Sequence, residues 1–391
     1  MNKVLSKYFP RYSNEPKKKK VIAEDAAHVN SHNQLILDSI LEDNDNKFLE
    51  LILESLSYDS DPNQVFTCPK YKFPEILENK PTIACLCAFF GSERCFEALC
   101  TLLPGGCDSD EMMKLDDWKR SPVHFACAGG SLTILRKLAN SGHELDLPDR
   151  DGCIPSFYAA MSGQLSILKY LWTKGVEILA CWRFKNSPNI FEIACIYGQT
   201  KIARFLYEEV SPNLSDDNKE FLIQGQSFNM VKPFHLAMHS GNVELVDYLL
   251  SVDEITINQI NAVDDKGYTP LCYACLYGNL RIVKKLVNSR KVKISNFKNA
   301  RQVPLVVAAS NCHTDIVNYL IKQRSILIRE ENSKHINALF AAVLNDDFNT
   351  TKLLLINGGA TNCEKENTEL FYIAVQNQSL ETMVLLDEML Q

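Results

Sequence analysis

Long apolar runs are missing from this chain of 391 residues. The longest obvious one, Ile83 to Phe90, falls well short of the roughly 20 residues that a membrane-spanning helix needs. No membrane span is expected. No secretory leader is expected either, because Met1 to Lys20 is polar, aromatic and basic, with no apolar centre. Positive charge is in short supply beyond that head. The net charge is −7, and residues 1–20 hold seven Lys and Arg against Glu15, or +6, which leaves −13 for the remainder. Phosphate contacts need clustered Lys and Arg, so an acidic body argues against nucleic-acid binding by it. Catalytic signatures are also absent. There is no G-x-x-x-x-G-K-[ST] loop for a phosphate and no H-E-x-x-H pair for zinc. No enzyme activity, cofactor or metal is expected, and the chain reads as soluble, intracellular and monomeric.

Cysteine, by contrast, is plentiful, with fourteen residues. Cys272 and Cys275 form a C-x-x-C, and Cys85, Cys87, Cys95 and Cys100 lie close together, but no second pair at metal-site spacing accompanies them. Cys127, Cys195 and Cys275 each follow a small residue at the same place in a repeating pattern. They are expected to be buried, reduced, small hydrophobes, which suits a reducing compartment.

The repeating pattern dominates the chain. Gly267-Tyr268-Thr269-Pro270-Leu271-Cys272-Tyr273-Ala274, followed by Gly278, has relatives in Ser121-Pro122-Val123-His124-Phe125-Ala126 with Gly130 and Lys232-Pro233-Phe234-His235-Leu236-Ala237 with Gly241. Another is Ile154-Pro155-Ser156-Phe157-Tyr158-Ala159 with Gly163. Small anchors recur at Cys87, Ala126, Ala159, Ala194, Ala237, Ala274, Ala308, Ala342 and Ala374, with gaps by subtraction of 39, 33, 35, 43, 37, 34, 34 and 32 residues. Cys312, Asp346 and Gln378 hold the glycine place in the last three, and Gln34 to Leu56 reads as one weaker helix pair with Ile40 and Asn44 in the key positions.

Helical geometry explains the pattern. Leu271, Ala274, Cys275 and Gly278 fall at i, i+3, i+4 and i+7 on one face. Proline suits the first turn, and glycine permits the left-handed exit into a second helix. In that second helix Leu280, Val283, Leu286 and Val287 form an apolar stripe, while Arg281, Lys284 and Lys285 point outward. Neither helix can bury its stripe alone, so each needs the neighbouring repeat.

The period and the Thr269-Pro270-Leu271 and Pro122-Val123-His124 cores resemble the ankyrin repeat. The resemblance implies an all-α solenoid of about nine to ten helix-turn-helix repeats with short finger loops over residues 31–391. It also implies that His124 and His235 are structural, bonding the backbone between repeats. Residues 1–30 carry no repeat and are expected to be a basic, disordered head. Irregular insertions fall near 57–80 and 208–231, read equally as binding loops or as neutral drift. The end, where Leu380, Met383, Val384 and Leu386 sit beside Glu381, Asp387 and Glu388, resembles a terminal cap, although Leu385, Met389 and Leu390 leave apolar surface.

Ankyrin-like arrays act by protein recognition through finger tips and the concave helix face, so the resemblance implies a non-enzymatic scaffold or adaptor for a protein partner. The candidate contacts are Trp118, Lys119 and Arg120 in one finger, Arg150 in the next, and Trp182, Arg183, Phe184 and Lys185 in a third. Trp and Arg are enriched among interface hot spots, and such a ridge suits an acidic or amphipathic peptide. Asp116, Asp117, Asp264, Asp265, Glu330 and Glu331 read as turn residues. Lys17, Lys18, Lys19 and Lys20 resemble a nuclear-import signal. They make a nuclear regulatory cofactor the alternative to a cytoplasmic scaffold, with a ubiquitin-ligase substrate adaptor a weaker third.

Overall fold

The structure, a computed structural model, describes residues 25–56, 63–64, 66, 74–179, 188–225, 230–252, 255–294, 301–324, 328–359 and 364–390. Among these residues every regular element is helical. Two compact units are present, Met1–Ala194 and Cys195–Gln391, and the boundary falls inside the helix Ile190–Ile196.

The first unit holds four helix pairs: Asp25–Leu41 with Asp45–Leu56, Ile83–Phe90 with Glu93–Leu102, Pro122–Gly129 with Leu132–Asn140, and Pro155–Ser162 with Leu165–Thr173. Ile190–Ile196 with Thr200–Phe205 is the fifth pair. The second unit continues with Pro233–Ser240 and Val243–Ser251, Pro270–Leu276 and Leu280–Asn288, then Pro304–Ser310 and Thr314–Gln323. Ala338–Leu344 with Phe348–Ile356 and Glu364–Gln376 with Leu380–Leu390 complete it. Within each unit, first helices pack on first helices and second helices on second helices. This is the all-α helical-repeat architecture that the periodicity implies.

One repeat shows why. The Thr269 hydroxyl accepts from the Cys272 N–H at 3.2 Å and caps the helix, while Pro270 fills the first turn. Leu271, Ala274 and Cys275 are fully buried, as are Ile282, Val283 and Leu286 of the partner helix. Ile282 is a correction to the expected stripe, because Leu280 and Val287 are only half-buried. Each fully buried Leu, Ile or Val contributes about 1.5–3 kcal/mol, and the neighbouring repeats supply that burial. The approach is close where the anchors are smallest. A Cβ added at Gly129 would lie 1.9 Å from the Phe89 carbonyl oxygen, so only glycine lets these two first helices meet.

The left-handed exit recurs whether or not glycine supplies it. Cys312, Asp346 and Gln378 adopt φ of +57°, +53° and +57°. In the first pair the left-handed residue is Asp43, at +48°, which places the small buried Ser39 in the anchor position. Ile40 and Asn44 are thus one residue out of register. The residue after this exit ties repeats together. The side-chain amides of Asn242 and Asn279 donate to the carbonyls of Gly198 and Met238 at 2.6 and 3.2 Å, and in the last pair Asn377, the residue before the exit, donates to Val343 at 3.0 Å.

The described residues of the insertions are built into the fold. Asn63 is buried, accepts from the Ala84 N–H at 2.9 Å and donates to the Glu111 carbonyl at 2.7 Å. Residues 208–231 hold a helix, Asp216–Gln224, capped by Ser215 and anchored by buried Leu222 and Ile223. The head is helical from Asp25, earlier than expected, and Lys17 to Lys20 lie outside the described residues. At the far end Leu386 is buried, but Leu380 and Val384 are 73 % and 57 % exposed, so the outer side is not the polar cap expected.

Most cysteines behave as small hydrophobes. Cys85, Cys87, Cys95, Cys127, Cys195, Cys272 and Cys275 are free and buried. Burial pushes the thiols of Cys85 and Cys95 up to about 12 and that of Cys272 to about 11. Cys100 and Cys107 depart from the expectation of reduced thiols, because they are joined as a disulfide.

Candidate protein-interaction surface

Fingers are built by one device used four times. Asp116, Asp149, Asp264 and Asn332 each donate a backbone N–H to the carbonyl four residues on, at 3.1, 3.0, 3.0 and 3.0 Å. Each side-chain oxygen folds over the turn to accept two backbone N–H groups, as Asp264 does from Lys266 and Tyr268 at 3.0 and 2.8 Å. The tip then needs a left-handed residue. Gly152 and Gly267 supply it in two fingers, Lys119 (φ +60°) and His335 (φ +59°) in the others. These side chains are turn formers, and Asp149 and Asp264 also accept the phenol hydroxyls of Tyr158 and Tyr273 at 2.6 and 2.8 Å.

Neighbouring fingers are laced edge to edge. In the first unit Asp117 N–H donates to the Asn79 carbonyl at 3.3 Å, and Arg150 N–H to the Trp118 carbonyl at 2.8 Å. In the second, Gln302 N–H reaches Gly267 at 3.2 Å and Ser333 N–H reaches Arg301 at 3.0 Å. Side chains at the tips are therefore held at fixed spacing.

The candidates separate sharply on this frame. Trp118 and Arg150 come together, with the guanidinium 5.9 Å from the indole ring, and Lys119 is exposed beside them. Arg120 turns the other way and is only 5 % exposed. Its Nε and Nη2 donate to Asp116 Oδ2 at 2.8 and 2.6 Å, and Nη2 also reaches the Ile76 carbonyl at 2.6 Å. Its guanidinium lies 5.0 Å from the Phe125 ring. Arg120 is a buried strut and no part of an exposed ridge. Trp182, Arg183, Phe184 and Lys185 lie outside the described residues. Sequence reasoning missed Lys80, which pairs with Asp117 at 3.1 Å from the edge of the preceding finger. Its signal is its place three residues before the helix Ile83–Phe90, the place that the left-handed Lys119 holds before Pro122–Gly129.

The repeat histidines are occupied by structure. His124 and His235 are fully buried, and burial pulls them down to about 3 and about 4. Nδ1 of each accepts a backbone N–H at 3.1 Å, from Ser121 and Lys232, and His235 Nε2 bonds the Ala262 carbonyl at 3.0 Å across to the next finger. Such neutral, bonded rings hold the repeat together. Among the described residues no group of three or more His, Cys, Asp or Glu could hold a metal ion. No helix there is long and apolar enough to cross a membrane.

The family described as "Ankyrin repeats (3 copies)" matches residues 83–180, 191–297, 234–330 and 281–367. The chain belongs to the ankyrin-repeat family. Similar curated proteins include the poly [ADP-ribose] polymerase tankyrase of Caenorhabditis elegans, 24% identical over 174 residues, 43% of this chain and 8% of that protein. Palmitoyltransferase AKR1 of Lachancea kluyveri is 27% identical over 176 residues, 44% of this chain and 22% of that protein. Ankyrin repeat protein nuc-2 of Neurospora crassa is 27% identical over 177 residues, 45% and 15% of the two chains. This chain thus spans less than a quarter of each of these relatives. Ankyrin repeats are non-catalytic interaction modules, and the catalytic names of two relatives describe those whole proteins.

Proposed function

We propose that the chain is a non-enzymatic interaction scaffold that captures a partner protein along the finger edge of its first unit. Trp118 and Arg150 carry the reading, because backbone bonding between fingers sets an aromatic face and a cation side by side before any partner arrives. Preorganised Trp and Arg anchors lose little freedom on binding. With Lys119 beside them, the edge suits an acidic or amphipathic segment. The buried, protonated thiols and the structural histidines favour a scaffold over an enzyme. Replacing Trp118 and Arg150 by alanine should weaken binding of an acidic peptide at least tenfold while leaving the thermal melt unchanged. Unchanged binding would refute the reading, and loss of binding together with the melt would assign both residues to packing. Nuclear action is tested separately by replacing Lys17 to Lys20 with alanine and following the tagged protein. Retention in the cytoplasm would support it, and unaltered distribution would discard it.

A further inference from the structure

More than half of the exposed large apolar side chains among the described residues lie in the last two helix pairs. Several of them line one groove. It has a volume of about 490 Å³ and runs between the second helices Phe348–Ile356 and Leu380–Leu390. Ile356, Leu380 and Val384 are 63 %, 73 % and 57 % exposed there, and Met389 closes one end. The outer face of a second helix ordinarily meets water and is polar, as Arg281, Lys284 and Lys285 show in an earlier repeat. A contiguous apolar strip in that position marks a contact surface.

Charge around the strip is divided between its two walls. Lys352 stands on the first helix, with its ammonium 5.9 Å from the Phe348 ring. Glu381 and Glu388 stand on the second, a turn to either side of Val384. The anchors Ala342 and Ala374 are 374 − 342 = 32 residues apart, which puts Lys352 and Val384 at the same level of their helices. A surface with its cation on one wall and its anions on the other complements itself under a two-fold axis laid along the groove. That rotation sets the first helix of each copy over the second helix of the other. Lys352 then comes over the partner's Val384, between two carboxylates, and the apolar strips cover each other.

We infer that this groove is a self-association surface, through which two copies of the chain pair as a two-fold dimer. The dimer replaces the monomer expected from sequence. Association would present two finger edges on one particle and raise apparent affinity for a partner with repeated motifs.

Sedimentation equilibrium of the full chain between about 1 and 100 μM, a range bracketing modest dimers, tests it. The weight-average mass should climb from that of one chain toward twice that value. Val384→Lys, which sets a second cation against the partner's Lys352, should weaken association at least tenfold with an unchanged circular-dichroism melt. Lys352→Glu should weaken it, and combining that change with Glu381→Lys and Glu388→Lys should restore it. A mass fixed at one chain throughout the range overturns the inference, as does a dimer indifferent to Val384→Lys. Failure of the charge exchange to restore pairing overturns the two-fold arrangement.

Discussion

The early repeats and the last three solve one geometrical problem with different residues. From Ile83 to Gly278 the left-handed exit from the first helix is held by glycine, as at Gly91, Gly130, Gly163, Gly198, Gly241 and Gly278. In the last three it is held by Cys312, Asp346 and Gln378, at a conformational cost that glycine avoids. Outer faces differ as well. The helix Leu280–Asn288 turns cations to water, whereas Leu380–Leu390 turns Leu380 and Val384 outward. Interiors do not differ: Ala308, Ala342 and Ala374 are as fully buried as Ala126 and Ala274. The inward pattern is constrained by packing against both neighbours, and the outward one only by what it meets.

The comparison can be broken most forcefully at the buried charge of an early repeat. Arg120→Ala strands Asp116 without its cation, a change that typically costs about 3–5 kcal/mol. It should lower the melt of the first unit by several degrees, whereas a melt unaltered by it would return Arg120 to the surface.

Acid acts next. His124 and His235 ionise near 6.5 in an unfolded chain but only at about 3 and about 4 when buried. Between those values the unfolded chain binds the extra proton, so stability is full above pH 6.5 and falls as the solution is acidified. At about 1.4 kcal/mol for each pH unit between the two pKa values, His235 alone should cost about 3 kcal/mol by pH 4. Urea midpoints measured from pH 7 to pH 4 check this, and His235→Gln should flatten the acid limb.

The smallest effect sharpens the contrast between the repeats. Gln378→Gly and Cys312→Gly relieve the left-handed strain and should each raise stability by about 0.5–1 kcal/mol. Losses would mean that these side chains contribute contacts outweighing the strain.

Much of the fold was legible because stacking writes itself into sequence at a fixed period. The anchors, the proline-led first helices and the left-handed places at Cys312, Asp346 and Gln378 all follow from it. What the period does not encode is the direction of a side chain on a finger. Trp118 and Arg120 are two residues apart on one turn, yet one faces its neighbour's tip and the other dives beneath it. Asp116, four residues before Arg120, was the available clue. The sequence does not mark Ser39 over Ile40, because the insertion puts it 87 − 39 = 48 residues before Cys87, outside the spacing of 32 to 43 that places Ala342 and Ala374 without proline or glycine. The helix Asp216–Gln224 is not legible as one of the repeat's helices, because its few apolar residues, Leu222 and Ile223 among them, make no periodic stripe.

Mutual shielding by neighbouring repeats is tested most directly by hydrogen exchange on Gly129→Ala. The added methyl must push the helices Pro122–Gly129 and Ile83–Phe90 apart. Protection should fall in both helix pairs, residues 83–102 and 122–140, while the pairs from Pro233 to Leu390 exchange as before. Loss confined to residues 122–140, or spread evenly along the chain, would contradict it.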